Sequence, residues 1–361
     1  MAIFSALGKG PAVHQQPAIS PAELEAILKS HELFVAREHG GRPARLAKKN
    51  LANADLSHRD LADADFTGST LYGAILKLGS FQRANFYCAD LRNVDARFGN
   101  FTDADMRGAG LMNANFSSAK LDHADFRGGR LGLAGKFGIE TFIERGGATG
   151  ADFSYCSLRG ASLENANLGG ANFSCAFIQG TSFKGARLAN AKFEGAILID
   201  VNVEELRLPP DVLKSCVLSS GEEAYARLPH LLARLNAHQR WIESHAKMGA
   251  SAVIDGEDLR PLGEELGKFK LTAISARSTV AIGMNFSCLE LQGADFSGAD
   301  LRGANFEGAD LRGVNLAGAK LLHAKFTAAN MTSLTMRSGT RRCDLSGADY
   351  LPEQLTDAVI D

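Results

Sequence analysis

Residues 290–326 read ELQGADFSGADLRGANFEGADLRGVNLAGAKLLHAKF, and their spacing decides the fold. Leu291, Phe296, Leu301, Phe306, Leu311, Leu316, Leu321 and Phe326 recur every 5 residues. Two positions before each stands Ala or Val, with Leu289 the exception. Asp, Asn, Lys or Glu fills the place between, and Gly often follows two positions later. A period of five matches neither the helical repeat nor the two-residue alternation of a strand. It marks a repeat architecture. One large and one small apolar residue per unit point inward only if the chain turns at every unit. Gly, Asn and Asp suit such corners because they tolerate left-handed backbone angles.

If four units complete a coil, residues 20 apart stack. Leu51, Leu71, Leu91, Leu111 and Leu131 keep that spacing, as do Phe153, Phe173 and Phe193, and Phe286, Phe306 and Phe326. Ala96 interrupts the column of Leu56, Leu76 and Phe116. The pattern A-(D/N)-(L/F)-x-G, over roughly two thirds of the chain, resembles the pentapeptide-repeat family. That resemblance implies a right-handed, four-sided parallel β-helix. The expected fold class is therefore an all-β solenoid: two right-handed quadrilateral parallel β-helices, each preceded by a capping α-helix.

Within 361 residues the pattern falls into two halves. Residues 1–19 read as a flexible tail, 20–218 as a helix-capped β-helix, and 219–361 as a second one. Ser20, Pro21 and Glu23 form a helix start, and Gly40 and Gly41 its end. Leu24, Leu28, His31, Phe34 and Val35 match Leu231, Leu235, His238, Trp241 and Ile242 one for one, so the halves look like a tandem duplication. Pro229 is expected to open the second helix. An amphipathic helix before a solenoid serves to cover its open end. The first array keeps register from Leu46 to Leu131. Residues 132–150 break it, and Phe153 resumes with a slip of two, as either a bulged coil or a loop that leaves the coil. The second array is ragged from Ile254 to Ala281. It frays near Arg341 and slips by one at Leu345. Leu208-Pro and Leu351-Pro each lead into a closing turn.

The formal net charge of −2 argues against a nucleic-acid binder and against a strongly acidic surface. Cys88, Cys156, Cys175, Cys216, Cys288 and Cys343 contain no C-x-x-C pair, which suits reduced thiols in a cytoplasm. No signal peptide and no membrane-spanning run is expected. Asp63, Arg83, Asp103 and His123 fall at one corner and read as a salt ladder. The candidate interaction surface comprises Tyr72, Tyr87, Arg92, Arg97, Arg107 and Arg127, with Phe137 and Phe142 in the break. Aromatic residues interleaved with cations suit an acidic partner or nucleic acid. From Arg42 to Leu131, however, 13 basic residues face 10 acidic ones, so the segment is nearly balanced.

No acid, base and nucleophile converge, and no cofactor, metal site or enzymatic activity is expected. The reading is a non-catalytic scaffold for protein–protein interaction, cytoplasmic, with an unknown protein partner. Neither direct nucleic-acid binding nor membrane insertion is expected, and homodimerisation stays open. The resemblance also carries an alternative: some members mimic DNA and modulate a type II topoisomerase. Those rods are markedly acidic, and this chain is not.

Overall fold

A computed structural model describes residues 19–134, 140–145, 147–336 and 339–361, excepting the side chains of 130–134 and 140–145. The tail 1–18 and Phe137 lie outside the described residues. The chain forms two compact units, Met1–Leu218 and Ser219–Asp361.

In both units a four-sided coil replaces extended strands. Each side contributes one bridged residue per coil, paired in parallel to the residue 20 further on, as in Arg45↔Asp65↔Asn85↔Asp105↔Asp125. Between bridges the chain turns. At the corner after Leu51, the Ala54 N–H donates to the Leu51 carbonyl at 3.0 Å. Asn53, between them, has φ +58°. A positive φ at the third residue of a four-residue turn is the type II signature, and it explains the taste for Gly and Asn there. Ala54 then faces inward, and the next bridge follows.

The interior is a set of stacked columns. Phe66 lies 4.8 Å from Phe86, and Phe81 lies 4.9 Å from Phe101. Phe153, Phe173 and Phe193 stack at 5.1 and 4.9 Å. Phe286, Phe306 and Phe326 do so at 4.9 and 5.2 Å in the second unit. Large residues stack on large ones because every coil has the same cross-section. Cys156 takes a buried inward place, while Cys88, Cys175 and Cys288 occupy corners with positive φ.

The breaks keep the expected slips in phase, but hairpins fill them. Gly110 bridges Gly147 and Asn115 bridges Asp152, separations of 37 rather than 20. The intervening chain forms an antiparallel hairpin of β1 (Gly129–Ala134) and β2 (Glu140–Arg145). Leu131 thus belongs to the hairpin and not to the leucine column: the Leu111 N–H donates to the Gly147 carbonyl, and Phe153 stacks on Phe116 at 5.7 Å. The insertion lengthens the coil by three whole repeats and two positions more, so it leaves the same phase as a bulge of two. The first unit finishes with β3 (Phe177–Gln179), β4 (Ile197–Ile199) and β5 (Val217–Leu218) in parallel, and two short helices, α2 (Val203–Leu206) and α3 (Pro210–Ser215). In the second unit Val253 bridges Ser275, and the coil between them takes in the 3₁₀ segment Arg260–Lys268. The fraying near Arg341 is a second antiparallel hairpin, β6 (Leu334–Met336) with β7 (Gly339–Arg341). Across it Asn315 bridges Asp344, a separation of 29, so the inserted nine residues are two repeats less one and Leu345 is shifted by one in phase, as the spacing implied.

A helix precedes each coil. α1 (Pro21–Val35) starts at Ser20, whose hydroxyl accepts the Glu23 N–H at 3.1 Å. It ends at Val35, before Gly40, because Arg37 already takes the left-handed φ of +57°. α4 (Glu222–Glu243) starts at Gly221, so Pro229 lies inside the helix and does not open it. Both helices dock through a buried histidine. Ala44 N–H donates to His31 Nδ1 at 3.0 Å, and Ala252 N–H to His238 Nδ1 at 3.1 Å. His238 Nε2 meets the Thr272 carbonyl at 3.1 Å. Ion pairs flank these contacts. Arg59 reaches Glu25 and Glu32, while Glu257 is held by Arg227 and Arg234.

Burial lowers the pKa of both histidines from 6.5, against opposing pulls from Asp60 and Asp63 on His31 and from the Thr272 carbonyl on His238. The unfolded chain binds protons first, so stability from the neutral rings is fully present above pH 6.5 and falls as pH drops through the lowered folded values. Urea midpoints should therefore decline between pH 7 and pH 5, and the decline should shrink in His238→Gln. A flat profile in the native chain would refute this docking role.

Candidate interaction surface

The described outward positions carry a recurring unit that the repeat itself builds. An Asp at a bridge position accepts the backbone N–H of the residue two places on, and where that residue is Arg, its side chain folds back on the same carboxylate. Arg92 binds Asp90 through Nε and Nη2, both at 2.7 Å. Arg97 binds Asp95 at 2.8 and 2.7 Å, Arg107 binds Asp105 at 2.9 and 2.6 Å, and Arg127 binds Asp125 in the same way. Asp258-Arg260, Asp300-Arg302 and Asp310-Arg312 repeat it in the second unit. Such twin hydrogen bonds fix the guanidinium geometry. The Arg97 hydrogen bond holds Asp95 below the usual carboxylate range, and the Asp105 hydrogen bond raises Arg107.

The repeat distributes the sequence-selected residues over three sides. Tyr87, Arg107 and Arg127 form one column, since Asn85, Asp105 and Asp125 bridge in succession. The Arg107 guanidinium sits over the Tyr87 ring at 5.5 Å. Tyr72 and Arg92 form a second column on the next side, with Arg92 over the Tyr72 ring at 5.7 Å. Arg97 stands on a third side, in the column of Lys77. Phe142 lies in β2, its side chain outside the description, and Phe137 lies outside it altogether. One rung of the corner ladder is paired, Arg83 bonding Asp63 at 2.7 and 2.8 Å, and Asp63, Arg83, Asp103 and His123 all have φ near +60°.

Two features escaped the sequence reading. Leu78 and Phe98 occupy left-handed corners at φ +58°, which costs a side chain of that size about 1–2 kcal/mol. Phe98 is nonetheless 36% exposed, with Lys77 Nζ 6.0 Å from its ring. The second feature is a buried polar cluster. Asp122, 2% exposed, accepts from the Ser157 hydroxyl, from the Arg159 N–H at 3.1 Å and from Arg159 Nη1 at 3.3 Å. Arg159 covers the Phe177 ring at 4.4 Å. Burial lowers the Arg159 pKa, and Asp122 opposes that shift. The sequence signal was Phe177, apolar at a bridge position that elsewhere is mostly polar.

Among the described residues no His, Cys, Asp and Glu group could hold a metal, and no helix is long and apolar enough to cross a membrane.

The sequence model for the family "Pentapeptide repeats" matches in 8 copies, over residues 50–86, 89–128, 149–185, 276–303 and 294–332. Among solved structures, the chain is similar to HetL, a pentapeptide-repeat protein involved in heterocyst differentiation regulation from the cyanobacterium Nostoc sp. strain PCC 7120. The identity is 30% over 44% of this chain and 79% of that one, with a TM-score of 0.19. It is 18% identical to QnrB1, a plasmid-mediated fluoroquinolone resistance protein, over 51% of this chain and 83% of that one, with a TM-score of 0.30. It is 20% identical to a pentapeptide-repeat protein of the Arabidopsis thaliana thylakoid lumen, over 46% and 72% of the two chains, with a TM-score of 0.17. No curated protein matches.

Proposed function

Since this chain is a member of the pentapeptide-repeat family, whose fold is the right-handed β-helix, we propose that it is a non-catalytic scaffold that binds another protein through the sides of its coils. In this reading, each unit is a separate helix-capped domain in the cytoplasm. α1 and α4 cap the first coils, covering backbone edges that would otherwise pair with other chains.

One observation carries the proposal: the Tyr87, Arg107 and Arg127 column. Aromatic and Arg side chains dominate protein interfaces because they bury large area at little entropic cost. Here Asp105 and Asp125 already hold the two cations in place, so docking orders them little further. The same pairing speaks against DNA mimicry, because Asp90, Asp95, Asp105 and Asp125 are each neutralised by their own Arg.

The test is capture from the native cytoplasm with the full chain and with Tyr87→Ala. One stoichiometric protein partner should appear, retained roughly tenfold less by the variant. The variant's melting temperature should stay within a few degrees of the native one. Absence of any stable partner would refute tight scaffolding. A type II topoisomerase as partner would favour the DNA-mimicry reading instead.

A further inference from the structure

The first unit has a cavity of about 560 Å³ where α1 meets the first coil, lined by Ile27 and Ser30 from the helix and by Arg42, Pro43 and Arg45 from the coil. We propose that this cavity binds a small organic phosphate, with Arg42 and Arg45 neutralising the phosphate and Ile27 and Pro43 meeting the organic body.

Three observations support it. The first is the state of the two arginines. The array arginines Arg92, Arg97, Arg107, Arg127, Arg302 and Arg312 each hold a carboxylate. Neither Arg42 nor Arg45 lies within ion-pair distance of one among the described residues, so both charges are open to a ligand.

The second is what Arg45 replaces. Its column continues as Asp65, Asn85, Asp105 and Asp125, and each of these accepts the N–H two residues on. Arg has no acceptor atom and forfeits that bond. The first coil therefore gives up a turn-stabilising contact at the one place in this column that faces the cavity.

The third is the duplicate unit, which supplies an internal control. The Arg42 N–H donates to the Ser30 carbonyl at 3.0 Å, and the Ala250 N–H donates to the Ala237 carbonyl at 3.3 Å. The histidine contacts to Ala44 and Ala252 fix the same correspondence. Ser30, Arg42 and Arg45 thus answer to Ala237, Ala250 and Val253. The second junction carries none of the three and instead sets Arg234 where the first has Ile27, its Nη1 donating to the Val253 carbonyl at 3.0 Å, so the arginines at 42 and 45 are particular to the first unit. Two guanidiniums and a hydroxyl match a phosphate monoester in charge and in donor type. The volume exceeds what a bare phosphate fills, and the apolar lining suits a ring or short alkyl group.

Calorimetric titration of the full chain with phenyl phosphate, inorganic phosphate and a phosphotyrosyl tripeptide tests this. Phenyl phosphate should bind about tenfold or more tightly than inorganic phosphate, and Arg42→Ala/Arg45→Val should weaken it by about tenfold or more. Arg42 and Arg45 are exposed and make no ion pair among the described residues, so the variant's melting temperature should hold. The tripeptide binding more tightly than phenyl phosphate would place the group on a protein chain, and weaker binding would place it on a free metabolite; both keep the pocket. No binding of any of the three up to about 10 mM, or unchanged binding by the variant, overturns the proposal. Equal binding of inorganic and phenyl phosphate overturns the organic body.

Discussion

Phe86→Ala is expected to destabilise the first unit by about 3–5 kcal/mol, near the top of the range for a core truncation. Phe86 is fully buried, 4.8 Å from Phe66, 5.9 Å from Phe81 and 6.0 Å from Phe101. The size of the loss depends on whether the surroundings can close over the void. Here they are held apart. The Phe66 N–H donates to the Asn85 carbonyl, and the Phe86 N–H donates to the Asp105 carbonyl. Coil spacing is thus set by backbone hydrogen bonds, and neighbouring rings cannot sink into the gap without breaking them. Hydrogen exchange at amides of the first unit, followed in urea, would read the change there while the second unit serves as reference. Phe98→Ala, at an exposed corner, should cost less than about 1 kcal/mol. A Phe86→Ala loss as small as that would mean the coils can collapse on one another.

Asp122→Ala should cost about 3–5 kcal/mol, because it breaks a buried ion pair by removing one member. The side chains of Asp122 and Arg159 are 3% and 15% exposed. Removing the carboxylate takes the ion-pair partner from a guanidinium packed on the Phe177 ring, and with it the acceptor for the Ser157 hydroxyl and the Arg159 N–H. The pair itself need not be a large net contributor, since desolvating two charges offsets much of their attraction. The double variant Asp122→Leu/Arg159→Leu should therefore recover most of the loss. Denaturant titration of the three proteins decides it. If Asp122→Ala were neutral, Arg159 would have to be satisfied by another partner or by solvent. By contrast, Arg97→Ala on the exposed side should change stability by at most about 1 kcal/mol.

The coil was legible because its period is a steric requirement. Phe286, Phe306 and Phe326 fill the same cross-section, and a residue of another size at any of them would leave a void or a clash. The docking helices were legible for a similar reason, as His31 and His238 repeat one contact with one neighbouring Ala. The breaks were legible as breaks, but their content was not. A five-residue code reports phase alone, so it could not distinguish the hairpin at Gly129–Arg145 from a small bulge, and it left Leu131 in a column where it has no place. Helix ends were misread where local residues overrode the expected signals: Arg37 adopts a left-handed angle ahead of Gly40, and Pro229 sits within a helix begun at Glu222. Among the surface residues, charge counting saw Arg and Asp in balance. It missed that a spacing of two on a coil side makes them partners.

The inserted hairpins also bear on how the chain folds. Along most of each unit every new row closes a single coil's length of chain onto the row before it, as in Asp65↔Asn85. Folding can then spread row by row at a nearly constant entropic cost per step. At Gly110↔Gly147 and Asn315↔Asp344 the loop to be closed is longer, because it also takes in a hairpin. Closure entropy grows only logarithmically, so each insertion adds about half a kcal/mol or less to its step. The two hairpins should thus appear as brief pauses in an otherwise even progression. They also mark where further chain could be added at little cost to assembly.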